Sequence, residues 1–238
     1  MTSPNLFAVC PHDTARGFDK WAMFNTFVNK RLDLKSRFQP HLNFVEFGAD
    51  LEQERFLWAY LNPADFLKAR SRFGYVPQVR PKDRFDVALV IGRSAATGLE
   101  QLRGQRLAAV SGYLFFLARH RLAQDGIDVT VVPVKSYAEV MKSLGAGEAD
   151  FGITYNEHFD RLAPAAREGY SVVEGVDIAL SHVIATHPAL PAEKAAALRD
   201  LLLAAHSNPE GEKLLVELGF PQFEPVDLAP FDHLAEIL

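Results

Sequence analysis

Apolar runs alternate with helical spacing along the whole chain. Residues 6–9 form a short apolar run that breaks at Pro11, and Phe18, Trp21, Asn25, Val28 and Leu32 then recur on one helical face. Runs at 42–47, 57–61, 74–79 and 85–91 predict further strands. The last is almost wholly apolar and therefore expected at the centre of its sheet. Asn62-Pro63 marks a helix start, with asparagine as cap and proline in the first turn, where its missing N–H is not needed.

The middle of the chain has the clearest pattern. Strand 106–110 leads through Ser111, as cap, into a helix over 112–124 that stops at Gly126. Strand 129–134 leads into the capping box Ser136-Tyr137-Ala138-Glu139, whose helix carries Val140, Met141 and Leu144 on one side and ends at Gly145-Ala146-Gly147. Strand 149–154 leads into a helix capped by Asn156. This β-α-β-α-β-α run predicts a parallel sheet with helices on its faces. A strand at 170–174, a returning strand at 178–185 and helices at 191–206 and 209–218 follow, the last with Asn208 as cap and Gly219 as stop. The tail, 223–238, holds Pro225 and Pro230 and is expected to wrap over the surface.

In open α/β sheets, ligands bind outside the carboxyl ends of the strands, where helix N-termini offer unpaired N–H groups to anions. Five such junctions carry small or polar residues here: Cys10 with His12 and Asp13, Tyr60 with Asn62, Ser111-Gly112-Tyr113, Ser136-Tyr137, and Tyr155-Asn156-Glu157. Gly112 lets a ligand approach the backbone, Ser111 adds a hydroxyl, and Tyr60, Tyr113, Tyr137 and Tyr155 add phenol donors to a small pocket. Each residue also has a plain structural reading. Asn62, Ser111, Ser136 and Asn156 serve as helix caps, the tyrosines as core-edge residues, and Cys10 as a small buried hydrophobe, with soft-ligand or thiol-sensing chemistry as its alternative.

Composition narrows the classes. At 238 residues, 48% hydrophobic and 23% charged, the chain is globular and long enough for one large domain or two lobes. A net charge of −5 argues against broad nucleic-acid or acidic-membrane binding, and the single cysteine excludes an internal disulfide. No apolar run approaches the ~20 residues that span a bilayer, so direct membrane insertion is not expected. The start, Met1-Thr2-Ser3-Pro4-Asn5, shows no export signal, which places the protein in the periplasm if the chain is a trimmed mature form and in the cytoplasm otherwise. The eight histidines show no metal-ligand spacing, and no dinucleotide, Walker or nucleophile-elbow motif is present. No metal, cofactor or catalytic residue is expected on these grounds.

Several stretches resemble the substrate-binding proteins of phosphate, phosphite and phosphonate ABC importers. They are Ala59-Tyr60-Leu61-Asn62-Pro63, residues 99–106, Ser111-Gly112-Tyr113, Ala146-Gly147-Glu148-Ala149-Asp150-Phe151-Gly152, and Asn208-Pro209-Glu210-Gly211 with Leu218-Gly219-Phe220. The resemblance implies a two-lobed periplasmic-binding-protein type II architecture of the α/β class. Each lobe is then a mixed, mostly parallel sheet with flanking helices, and two crossing strands form the hinge. It implies a discontinuous first lobe, 1–90 plus 181–238, and a second lobe, 91–180. It further implies a small anionic solute held between them and, as partner, an ABC permease or a membrane sensor, with a monomer as the default state. Tyr60 and Asn62 would face the ligand from the first lobe, Ser111 and Gly112 from the second. Tyr137 falls where the family often has histidine, Tyr155 and Asn156 where an acidic residue commonly sits, and Ala109-Val110 replace expected hydroxyl residues. A phosphonate, a related oxyanion and another small polar solute all stay open. The alternative is a cytoplasmic enzyme on the same fold, of the menaquinone- or thiamine-pathway kind, with His12, Asp13 and Glu157 as its few acid–base candidates.

Overall fold

The computed structural model describes residues 3–15, 17–93 and 98–238. Met1 and Thr2, the first of the residues read for an export signal, lie outside them. In chain order the first elements are β1 (Leu6–Val9), α1 (Pro11–Thr14), α2 (Phe18–Leu32), β2 (Arg37–Gln39), α3 (Phe44–Glu52), β3 (Phe56–Leu61), α4 (Pro63–Phe73) and β4 (Val76–Pro81). Next come β5 (Ala88–Arg93), β6 (Arg106–Val110), α5 (Tyr113–Gln124), β7 (Thr130–Val134), α6 (Tyr137–Ala146), β8 (Phe151–Tyr155), α7 (Asn156–Arg161), α8 (Pro164–Arg167) and β9 (Tyr170–Val176). The chain closes with β10 (Val183–Thr186), α9 (Ala192–Leu203), α10 (Pro209–Leu218), β11 (Phe223–Glu224) and α11 (Ala229–Ile237).

Two compact units divide these elements: Met1–Arg84 with Ser181–Leu228, and Phe85–Leu180 with Ala229–Leu238. The boundary thus falls at 84/85 rather than 90/91, because β5 pairs along its length with β8 and β9 of the second unit. The expected surface tail is instead β11, paired with β4, and α11, a helix of the second unit that buries Phe231 and Leu234. Pro230 sits in its first turn, where proline is compatible with a helix.

Unit 1 is built on a sheet of order β11-β4-β10-β3-β1-β2. β1 runs parallel to β2 and β3, while β10 runs antiparallel to β3 and β4. All six residues of β3 are buried, as its continuous apolar run requires of a strand covered on both faces. Phe7 of β1 stacks on Trp58 of β3 at 3.8 Å between centroids, and Trp21 and Phe24 of α2 close over Phe7.

Residues 42–47 are not a strand. Asn43 caps α3 by accepting from the Glu46 N–H at 2.9 Å, and the buried positions Phe47 and Leu51 follow helical spacing. Leu42, Phe44 and Val45, which suggested an apolar strand, are exposed. The short β2 was not predicted.

Unit 2 carries a sheet of order β7-β6-β8-β5-β9, with β6 parallel to β7 and β8, and β5 antiparallel to β8 and β9. Gly152 of β8 is where α6 lies closest: a Cβ there would collide with Val140 Cγ1 and stand 3.2 Å from Leu144 Cδ1. Gly147, at φ 72°, ends α6 in the left-handed conformation that favours glycine.

Candidate functional site

Each sheet has one point where connections leave in opposite directions, and such a point opens a crevice at the carboxyl ends of the strands. In unit 1, β1 connects to β2 on one side of the sheet while β3 connects toward β4 on the other. The crevice therefore lies between the ends of β1 and β3, where Cys10 and Asn62 emerge. In unit 2, β6 connects to β7 and β8 toward β9, which places the crevice between Ser111-Gly112 and Tyr155-Asn156.

At the unit 1 crevice, Cys10 is fully buried and its N–H donates to the Tyr60 carbonyl at 2.9 Å. Asn62 caps α4, its Oδ1 accepting from Asp65 N at 2.9 Å. Its Nδ2 donates to Asp65 Oδ2 at 2.6 Å and lies 3.7 Å from Cys10 Sγ. Tyr60 is buried, stacked on His182 at 5.1 Å and 25° and flanked by Trp21 at 4.9 Å. His12, half-buried on α1, meets the edge-on ring of Phe44 at 4.9 Å.

His182 was not among the expected site residues. The register Val183↔Leu61 sets it beside the end of β3, 172 positions from Cys10 in sequence, so no local spacing could reveal it. It hydrogen-bonds the Cys10 thiol, and its Nε2 is 3.6 Å from Asp13 Oδ2. Burial pushes the Cys10 thiol up from its ordinary pKa, against the opposing pull of that hydrogen bond. Burial likewise pushes the Asp65 carboxyl up, against the Asn62 hydrogen bond. Cys10, Asp13 and His182 place one donor atom each within 4.8 Å of the others, a set that could hold a metal ion. The expectation of no metal rested on local motifs, whereas the fold brings His182, just before β10, to the turn of α1 that carries Cys10 and Asp13.

At the unit 2 crevice, helix α5 begins at Tyr113, and Gly112 rather than Ser111 is its N-cap. No side chain caps this twelve-residue helix. Ser111 is exposed, and a Cβ on Gly112 would meet nothing within 4 Å, so the space beside the start of α5 is open. Tyr113 is half-buried in that first turn.

Ser136 caps α6 as expected, accepting from Glu139 N at 3.2 Å. Asn156 does not cap α7; its neighbour Tyr155 occupies the cap position. The Asn156 side chain instead donates to the Phe85 carbonyl and accepts from Val87 N. Tyr137, Tyr155 and His158 form a ring cluster, with centroids 4.9 Å apart for the tyrosine pair and 5.7 and 5.9 Å to the imidazole. His158 was also missed; it brings an imidazole beside Tyr137 from α7 and bonds Thr154 Oγ1 at 2.9 Å. Glu157, an acid–base candidate, lies 3.3 Å from Arg161 in an ion pair.

The two switch points, each with polar junctions at its strand ends, are where an α/β fold places a ligand. A model of the family described as "ABC transporter, phosphonate, periplasmic substrate-binding protein" matches residues 7–231. The chain belongs to this family, whose role is to bind small anionic solutes for transport. Among solved structures, a Xanthomonas citri protein bound to ATP is 18% identical, with a TM-score of 0.79 over 99% of this chain and 96% of that one. PhnD1 from Prochlorococcus marinus, in complex with methylphosphonate, is 12% identical, with a TM-score of 0.80 over 99% and 97%. The periplasmic aliphatic sulphonate binding protein SsuA from Escherichia coli is 12% identical, with a TM-score of 0.69 over 99% and 90%. At such identities these likenesses establish the fold, that of type II periplasmic binding proteins. No curated protein matches the chain by sequence. Among the described residues, no helix is long and apolar enough to cross a membrane.

Proposed function

We propose that the protein is the periplasmic receptor of an ABC importer, binding without turnover, and that its solute is a tetrahedral oxyanion of the phosphonate, phosphite or phosphate kind. The anion's main seat is the N-terminus of α5 at Ser111-Gly112-Tyr113. One observation carries this reading: an exposed serine and a side-chain-free cap position open the first turn of a helix at a switch point. The dipole of the helix and the N–H groups of its first turn favour an anion there. The methylphosphonate and sulphonate bound by two proteins of the same fold support this ligand class.

The remaining expected site residues divide by role. Tyr113, Tyr137 and Tyr155 of unit 2 supply further donors to the solute, while His12 and Tyr60 stand at the unit 1 switch point. Asn62, Ser136 and Asn156 have their side chains engaged in caps and backbone bonds, and act by positioning. The delivery partner is a membrane permease, and the receptor works as a monomer.

A thermal-shift panel of methylphosphonate, phosphite, phosphate, sulfate and small carboxylates tests the reading. A true ligand at 100 times its dissociation constant should add about 2.7 kcal/mol of stability. Shifts confined to carboxylates, or no shift at all, would overturn the oxyanion assignment.

A further inference from the structure

We propose that Cys10, Asp13 and His182 form a mononuclear site for a borderline transition-metal cation of the Zn²⁺ kind. The three donor atoms lie within 4.8 Å of one another, and His182 Nε2 stands 3.6 Å from Asp13 Oδ2. Ligand atoms bound tetrahedrally at about 2.0–2.3 Å are roughly 3.4 Å apart, so closure on an ion needs side-chain adjustments of only about an ångström.

The donor chemistry selects the cation. A sulfur, an imidazole nitrogen and a single carboxylate suit Zn²⁺, whereas Mg²⁺ and Ca²⁺ call for oxygen sets. A thiolate and a carboxylate balance the charge of a divalent ion. All three ligands belong to unit 1, so the site stands independently of the anion seat on α5.

The surroundings hold the ligands in place, as residues that touch the ligands do in metal sites. Tyr60 stacks on the His182 ring, and the Asn62 amide, fixed by Asp65, approaches the Cys10 sulfur. Trp21 Nε1 donates to the Asp13 carbonyl at 3.3 Å, and Thr14 Oγ1 ties the same turn to the Val9 carbonyl at 3.1 Å. Cys10 has no exposure, but the Asp13 and His182 side chains are 14% and 12% exposed. Three protein ligands with a narrow opening are the pattern of a site that keeps a fourth position for water or an anionic oxygen.

The test uses the full chain, stripped with a chelator and titrated with Zn²⁺ alone against a chromogenic competitor, then with Co²⁺ followed by absorption. The expected result is one equivalent bound at micromolar affinity or tighter, with a tetrahedral cobalt spectrum and a thiolate charge-transfer band. Cys10→Ala should abolish that band and weaken Zn²⁺ binding at least about 100-fold, since losing even a residue that only hydrogen-bonds to a ligand costs about 10–100-fold. Asp13→Asn, on a partly exposed turn, is the second variant should Cys10→Ala fold poorly; it should weaken binding while keeping the band. No saturable binding, a cobalt spectrum without the thiolate band, or unchanged affinity in both variants would overturn the assignment.

Discussion

The Asn156 amide donates to the Phe85 carbonyl at 2.9 Å, and its oxygen accepts from Val87 N at 3.2 Å. A residue at the end of β8 thereby holds the segment by which the chain enters unit 2 and runs into β5. Asn156→Asp keeps the acceptor for Val87 but sets a carboxylate oxygen against the Phe85 carbonyl. The variant should be less stable by about 1–3 kcal/mol, read as a lower urea midpoint. An unchanged midpoint would remove the anchoring role.

Gly152 lies under α6, where a Cβ would overlap Val140 Cγ1. Gly152→Ala should cost about 1–3 kcal/mol through overpacking. Pairing it with Val140→Ala should recover part of the loss, since the clashing methyl is then gone. A double-mutant cycle in denaturant measures the coupling.

Arg106 grips Asp150 through Nε and Nη2, both at 2.9 Å, and through its own N–H at 3.1 Å. These hydrogen bonds hold the Asp150 carboxyl below its ordinary pKa of 3.8. A carboxylate depressed in the folded state stabilises the fold above its unfolded pKa, and that contribution disappears as pH falls through the lower folded value. Asp150→Asn should therefore show a small deficit at pH 6 that shrinks below pH 3.8. Urea midpoints across that range check the sign; a deficit that grows on acidification would contradict it.

Cys10 is the only cysteine, and it is buried. With burial also raising its pKa, the metal-free native protein should react slowly with a thiol reagent and rapidly once unfolded. Equal rates in both states would show that the β1 end opens readily.

Elements with strong punctuation were legible in the sequence. Helix α10 lies within Asn208-Pro209 and Gly219, and β1 is cut by Pro11. Residues 42–47 resemble a strand because Leu42, Phe44 and Val45 are apolar yet exposed, while Asn43 with Glu46 three residues on is the helix-start signal within the same stretch. Ser111 read as a cap because serine is a good one, but the backbone turns into α5 one residue later, at Gly112. For the candidate site, the junction residues followed from local chemistry. His182 and His158 did not, because strand register and a helical turn place them, and neither belongs to a motif.

The anion seat can be probed at one position. Gly112 has φ 165° and ψ 177°, extended backbone that any residue adopts, and open space where a Cβ would stand. Gly112→Val should therefore fold normally while its side chain crowds the first turn of α5. Isothermal titration of methylphosphonate, phosphite and phosphate into wild type and this variant is the most direct measurement. The prediction is saturable one-to-one binding of at least one of these anions to the wild type, weakened at least about 10–100-fold in the variant, as expected for losing one or two charge-assisted hydrogen bonds. Equal affinity in a folded Gly112→Val protein would contradict the account.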